Sequence, residues 1–209
     1  MSPRLVVILL LTLTFTDSRS QSLLKQYQSL PAAEKRWVLH HPHAAIKVRV
    51  LTSKVRNEVM QYAQKNLVDT LFNGGTADAF RHCYWMALCA QKIGSKKALS
   101  LGEAHEKGNR QQFEKGLTED AVLQDSISCE MDLFNNKIGV AIATAEKKGD
   151  AETLKILILE KIKQGELKIL NRNNQNQFID CEGNTVLKPT GKDRKWVLPY
   201  CLVPSNHHP

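Results

Sequence analysis

Beyond Thr16 the chain holds no apolar run approaching the roughly 20 residues that a membrane-spanning helix needs. It has no Cys-x-x-Cys pair, so a zinc knuckle is not expected. Internal repeats and low-complexity tracts are absent as well. Aromatic residues make up only 6% of the chain and do not interleave with the scattered lysines and arginines along a strand pattern. No nucleic-acid-binding module is therefore recognisable. Acidic residues are in short supply, 21 Asp and Glu against 29 Lys and Arg, for a formal net charge of +8. Such a charge either draws a chain to anionic substrates or surfaces, such as phospholipid, bacterial cell wall, nucleic acid or sulfated glycan, or serves only to keep it in solution.

The one strongly apolar stretch lies at the start. Arg4 precedes the run Leu5 to Thr16, and Ser18-Arg19-Ser20 supplies small residues before Gln21. This pattern predicts an export signal over residues 1–20 and a secreted, extracellular mature chain. Losing Arg4, Asp17 and Arg19 takes the charge from +8 to +7. The remainder is long enough for one domain with a sizeable core. Five cysteines in an exported chain point to disulfides with one thiol left over. Cys181 and Cys201 flank a short segment and are the favoured pair; Cys129 can pair with Cys83 or with Cys89.

Helix signals dominate as far as Leu170. Pro31 and Glu34 suit a first helical turn, in a helix that runs through Trp37 and stops near Pro42. A second helix is expected from Ala44 to Val68, with a break near Thr52-Ser53. Asn73-Gly74-Gly75 reads as a turn. Thr76 or Ala77 then opens a helix that Gly94 ends, and another covers Ser95 to Asn109. Thr118 with Glu119-Asp120 signals a further helix start. Glu130 to Glu146 and Ala151 to Lys163 complete the set, with Gly165 as a cap. After Leu170 the composition turns loop-like, with short β-prone runs at 178–179, 185–187 and 196–198. The expected fold is mainly α: a helical domain over 21–170 and a disulfide-linked, hairpin-like tail over 171–209.

Three polar pairs sit among residues that otherwise belong in a core: Asp78 with His82, His105 with Asn109, and Asp132 with Asn136. Each is spaced i,i+4, so both side chains of a pair share one helix face. Desolvating them is costly unless they pair or bind something. Trp85 falls within about 60° of His82 around the helix, and Arg81 points about 100° from His82, as Glu106 does from His105. Asn135-Asn136 are poor helix formers inside an apolar helical run and call for substrate binding, metal ligation or interhelical hydrogen bonding. Gly139 would let another backbone approach closely. The two remaining histidine groups, His40-His41-Pro42-His43 and His207-His208, read as a surface cap and a frayed terminus.

The segments Asn73-Gly74-Gly75-Thr76-Ala77-Asp78-Ala79-Phe80-Arg81-His82-Cys83-Tyr84-Trp85, Glu103-Ala104-His105-Glu106 and Glu130-Met131-Asp132-Leu133-Phe134-Asn135-Asn136-Lys137-Ile138-Gly139 occur in that order. Together they resemble an uncharacterised helical domain of bacterial exported and toxin-type proteins, with the pattern DAFRHxxW…AHE…MDLxNNxxG. The resemblance covers roughly Pro31 to Leu170 and implies a mostly helical fold without assigning an activity. Cys83 and Cys89 stand where that family more often has small or apolar residues. Val140 stands where a basic residue is usual.

Two functions from different classes compete. In the first, the chain is a hydrolase of a phosphoester or phospholipid, with His82, His105, Glu106 and Asp132 as ligands of one or two divalent metal ions. Asp78 orients His82, and Arg81 neutralises developing charge. Trp85, Asn109, Asn135 and Asn136 would then contact substrate. A metal-free form makes His82 the general base and Glu106 an acid with a raised pKa. In the second, the chain is a non-catalytic secreted binding or defence protein whose polar cluster only fixes helix packing.

Overall fold

Two helices meet at His41 because Pro42 needs no N–H donor in a first turn and therefore begins a helix. The computed structural model describes residues 18–118, 122–147, 149–189 and 191–207. It divides the chain into two units, Met1–Leu30 and Pro31–Pro209. The described part of the first is α1 (Ser18–Ser29). The export signal expected over 1–20 lies outside the described residues, save for 18–20, which open α1.

In the second unit, α2 (Ala32–His40) follows Pro31, and α3 (Pro42–Gln64) runs on from Pro42 without the expected interruption. The Thr52 hydroxyl donates to the Val48 carbonyl at 3.0 Å and that of Ser53 to Arg49 at 3.4 Å. Both side chains are thus absorbed by the helix in place of breaking it. The expected end at Val68 is also four residues late, because Asn66 takes a left-handed φ of 53° just past the helix.

The third and central helix of this unit, α4 (Thr76–Ile93), matches the expected span, and α5 (Ser95–Glu114) extends past the expected end at Asn109. α6 (Ser126–Ala145) begins before the expected Glu130. Its cap is Asp125, whose Oδ1 accepts from the N–H groups of Ile127 and Ser128 at 3.0 and 2.9 Å. No helix starts at Thr118, and 119–121 lie outside the described residues. α7 (Ala151–Lys163) matches expectation and is capped by the Asp150 side chain.

α4 is enclosed by α3, α5, α6 and α7, and its Phe80, Cys83, Tyr84, Met86, Ala87 and Cys89 are fully buried. Its tightest approach is to α6. A methyl added at Gly139 would lie far inside van der Waals contact with the Cys83 carbonyl oxygen, so only glycine admits this crossing. Here the sequence expectation holds.

The described sheet is two-stranded and antiparallel, β1 (Lys168–Leu170) with β2 (Leu202–Pro204), registered Lys168 opposite Pro204. The runs expected as strands form only the isolated bridges Arg172–Phe178 and Ile179–Thr185, and 196–198 form none. Asp180 instead closes the intervening turn by accepting from the N–H groups of Glu182 and Asn184. Met131, Leu170, Leu198 and Tyr200 make a second small core under this tail. Cys181 and Cys201 are bonded as expected, whereas Cys83, Cys89 and Cys129 are all free and buried. Three thiols therefore remain, not one.

Candidate functional site

The amino end of α4 is held from outside its own helix. The Asp69 carboxylate accepts from the N–H groups of Thr76 at 2.7 Å and Ala77 at 3.0 Å, and the Thr76 hydroxyl accepts from Asp69 N–H at 2.9 Å. The carboxylate thereby satisfies two helix-terminal donors that would otherwise be orphaned. With the first turn fixed, Asp78 turns back to accept from Gly74 N–H at 2.7 Å through Oδ2. Its Oδ1 receives the Arg81 guanidinium, Nη2 at 2.6 Å and Nε at 3.2 Å.

His82 lies one turn further along the same face. Its Nε2 stands 3.6 Å from Asp78 Oδ1 and 3.4 Å from Asp132 Oδ2, the latter delivered by α6. One imidazole nitrogen thus faces two carboxylates. All three side chains are buried, and each contributes a donor atom within 4.8 Å of the other two. Asp132 Oδ1 has no hydrogen-bond partner among the described residues. Burial, reinforced by the charges of Asp78 and Glu106, pushes the Asp132 carboxyl well above the usual carboxylate range.

Glu106 and Asn109 form a layer behind this group. Asn109 Nδ2 donates to Glu106 Oε2 at 3.0 Å, and both residues are buried. Glu106 also faces the Cys129 thiol, which burial chiefly, with that carboxylate, pushes far up. Such a thiol is inert as a nucleophile. His105, next in sequence to Glu106, turns the other way and pairs through Nδ1 with Glu34 Oε1 of α2 at 3.0 Å. Its ring lies 6.1 Å from that of His82 and 5.5 Å from Trp85, whose indole N–H donates to Thr52.

Of the residues singled out in the sequence, Asp78, Arg81, His82 and Asp132 therefore come into direct register. Glu106 and Asn109 flank them on one side, His105 and Trp85 on another. Asn135 is committed elsewhere: its amide accepts from Lys168 N–H at 2.9 Å and donates to Lys168 C=O at 3.0 Å, clamping β1. Asn136 is buried beside Gly102, and neither of its amide atoms has a hydrogen-bond partner among the described residues. The pairs His105–Asn109 and Asp132–Asn136 share helices without bonding to each other: His105 turns to Glu34, Asn109 to Glu106 and Asp132 to His82.

A cleft of about 270 Å³ adjoins the cluster at Arg81. Its walls are the Thr70–Asn73 turn, Arg81, Val122, Gln124 and Arg172. Sequence reading missed Arg172 and Asp69. Both act across gaps in the chain that leave no periodic trace, and Arg172 stood in a stretch that composition marks as loop.

No curated protein and no solved structure matches the chain. The segment that carries α2 through α7, residues 35–166, matches the family described as a domain of unknown function, DUF6973, and the chain belongs to that family.

Proposed function

We propose that the chain is a secreted hydrolase of an anionic ester, a phosphoester or phospholipid, with its centre at Asp78, His82 and Asp132. The observation that carries this reading is the single imidazole held between two buried carboxylates, one of which is tied through Arg81 to an adjoining cleft. Secretion rests on the amino-terminal signal pattern and agrees with the Cys181–Cys201 bond. The resemblance to bacterial exported and toxin-type proteins fits the same assignment. The positive net charge favours encounter with an anionic substrate or surface.

The roles follow from the geometry. With its Nε2–H turned toward the two acids, His82 keeps Nδ1 as the acceptor for a proton from water. The water oxygen bonds to phosphorus while the phosphorus–oxygen ester bond breaks. Asp132, which keeps its proton to higher pH than an ordinary aspartate, supplies that proton to the departing oxygen. It is better placed for this than Glu106, whose carboxylate is bonded to Asn109. Arg81 offsets negative charge that accumulates on the phosphoryl oxygens. Asp78, His82 and Asp132 also form a donor set suited to a divalent ion. Because both Asp78 oxygens already accept hydrogen bonds from Arg81 and Gly74, such an ion would compete with the guanidinium. The metal-free route is the better supported.

The burial of His82 and Asp132, at 2% and 4% exposure, favours a second reading in which the cluster is a packing network of a binding or defence protein. Elemental analysis of the mature protein, run beside phosphodiester, phosphomonoester, phospholipid and cell-wall substrates, separates the two. We expect phosphoester turnover without stoichiometric metal. Turnover with a stoichiometric divalent ion selects the metal-assisted form of the same site, and no turnover on any substrate selects the packing network.

A further inference from the structure

The family domain ends near residue 166, yet the cleft beside the cluster is walled in part by a residue beyond it. That residue is Arg172, delivered by the tail that Cys181–Cys201 closes. Its guanidinium lies over the Phe178 ring at 3.9 Å. Nη2 donates to the Asn73 carbonyl at 2.9 Å, and Nη1 to the Asn176 carbonyl at 3.3 Å and side-chain oxygen at 3.1 Å. Every one of these acceptors is neutral. Nε is buried and has no hydrogen-bond partner among the described residues. No carboxylate among them lies within ion-pair distance of this arginine.

Arg172 is half-buried, and burial lowers its pKa because Asp69 and Asp78 act on it only from beyond ion-pair distance and offset the desolvation in part. Arg81 differs, because Asp78 balances it. The same cleft is therefore bordered by two guanidinium groups and only one carboxylate bonded to them. From this geometry we infer that the cleft is a binding site for a dianionic phosphate group, with Arg172 as its principal cation and Arg81 at its inner end. The site is completed by the tail, so the tail selects substrates for the family domain. At about 270 Å³ the cleft lies just below the range of drug-sized pockets. It admits a phosphate with a small substituent.

Phosphate binding stands on the cleft alone; the bound phosphate being the reacting group rests on the hydrolase reading. Calorimetric titration of the mature protein with inorganic phosphate tests the site directly. Wild type should bind saturably, and Arg172→Gln should bind about tenfold or more weakly. Because Arg172→Gln also loses bonds to Asn73 and Asn176, a second variant keeps the arginine. Val122→Glu sets a carboxylate in the cleft wall and should weaken phosphate by a similar factor. His82→Ala should bind phosphate within about twofold of wild type whether or not turnover is lost, which separates the failure of this site from the failure of the hydrolase. Parallel titrations with phenyl phosphate and a short-chain phosphatidic acid identify by the tighter ligand whether the phosphate comes from a small ester or a lipid headgroup. No saturable phosphate binding by wild type up to roughly 10 mM would overturn the inference. So would Val122→Glu that is folded and binds as wild type does.

Discussion

Asp132 is the residue whose surroundings contribute most to the account. Its carboxyl is buried between His82 and a second acid, and its pKa is raised above 3.8 by desolvation first and by Asp78 and Glu106 next. A raised native value means that the folded state holds a proton that the unfolded state releases. The associated stability is complete below about pH 3.8 and is lost as pH climbs through the native value. Asp132→Asn has no such proton to lose. Its stability relative to wild type should therefore improve as pH climbs from about 3.8 through the raised native value and level off above it, as urea denaturation would measure. A relative stability that is flat with pH would show that Asp132 titrates normally. Asn135 makes the contrasting case. Its substitution by alanine strands both backbone groups of Lys168 and should cost about 1–3 kcal/mol, read from the same denaturation curves.

These residues were legible to different degrees. Asp78 with His82 follows from i,i+4 spacing, since one helix fixes both. The two asparagines announced themselves as polar groups in an apolar run, but their fates were not readable. One clamps a strand edge 33 positions away, and the other is buried beside Gly102. Glu34 as the partner of His105 was invisible for the same reason, being 71 positions distant.

Between elements, the crossing of α4 with α6 sets how closely Asp132 can approach His82. Gly139 meets the backbone of Cys83 there, and backbone has no rotamer through which to retreat. Gly139→Ala should separate the helices and cost at least about 2 kcal/mol, seen as a lowered denaturation midpoint. If the hydrolase reading is correct, it should also reduce turnover more than the stability loss explains, because the His82–Asp132 distance changes. The cap of α6 has a comparable weight. Asp125 is fully buried, accepts from Ile127, Ser128 N–H and the Ser128 hydroxyl, and pairs with Lys188 at 3.3 Å. Asp125→Ala should cost about 2 kcal/mol, as a cap at the upper end of the usual range does. Helix spans were readable wherever apolar periodicity and a glycine stop coincided, as in α4. They failed where the signal was chemically ambiguous. Pro42 serves equally as a stop and as a first-turn residue, and Asp125 lacks the Glu three positions on that would have marked the cap.

On the scale of the whole molecule, the second unit joins a family domain to a tail that shares its cleft. The Cys181–Cys201 bond closes a 20-residue separation, for which chain entropy gives about 3 kcal/mol. Gentle reduction should lower thermal stability and loosen the tail before the helices, because the remaining cysteines are single buried thiols. Amide exchange would register this as faster exchange over 171–201 than over α4. The mainly α body was visible from sequence, and so was the bond. Strand positions in the tail were not, because segments this short take their pairing from the packed neighbours Leu170 and Tyr200.

The most direct test of the proposed hydrolytic centre compares wild type with His82→Asn, measuring phosphoester kcat/KM and unfolding free energy on the same preparations. The asparagine keeps part of the hydrogen bonding and removes the base. With His82 as the general base, the variant should fold and its kcat/KM should fall by about 100-fold or more, the ordinary worth of such a base. A wild-type rate that His82→Asn preserves would contradict it, as would a wild type without turnover whose variant differs only in stability.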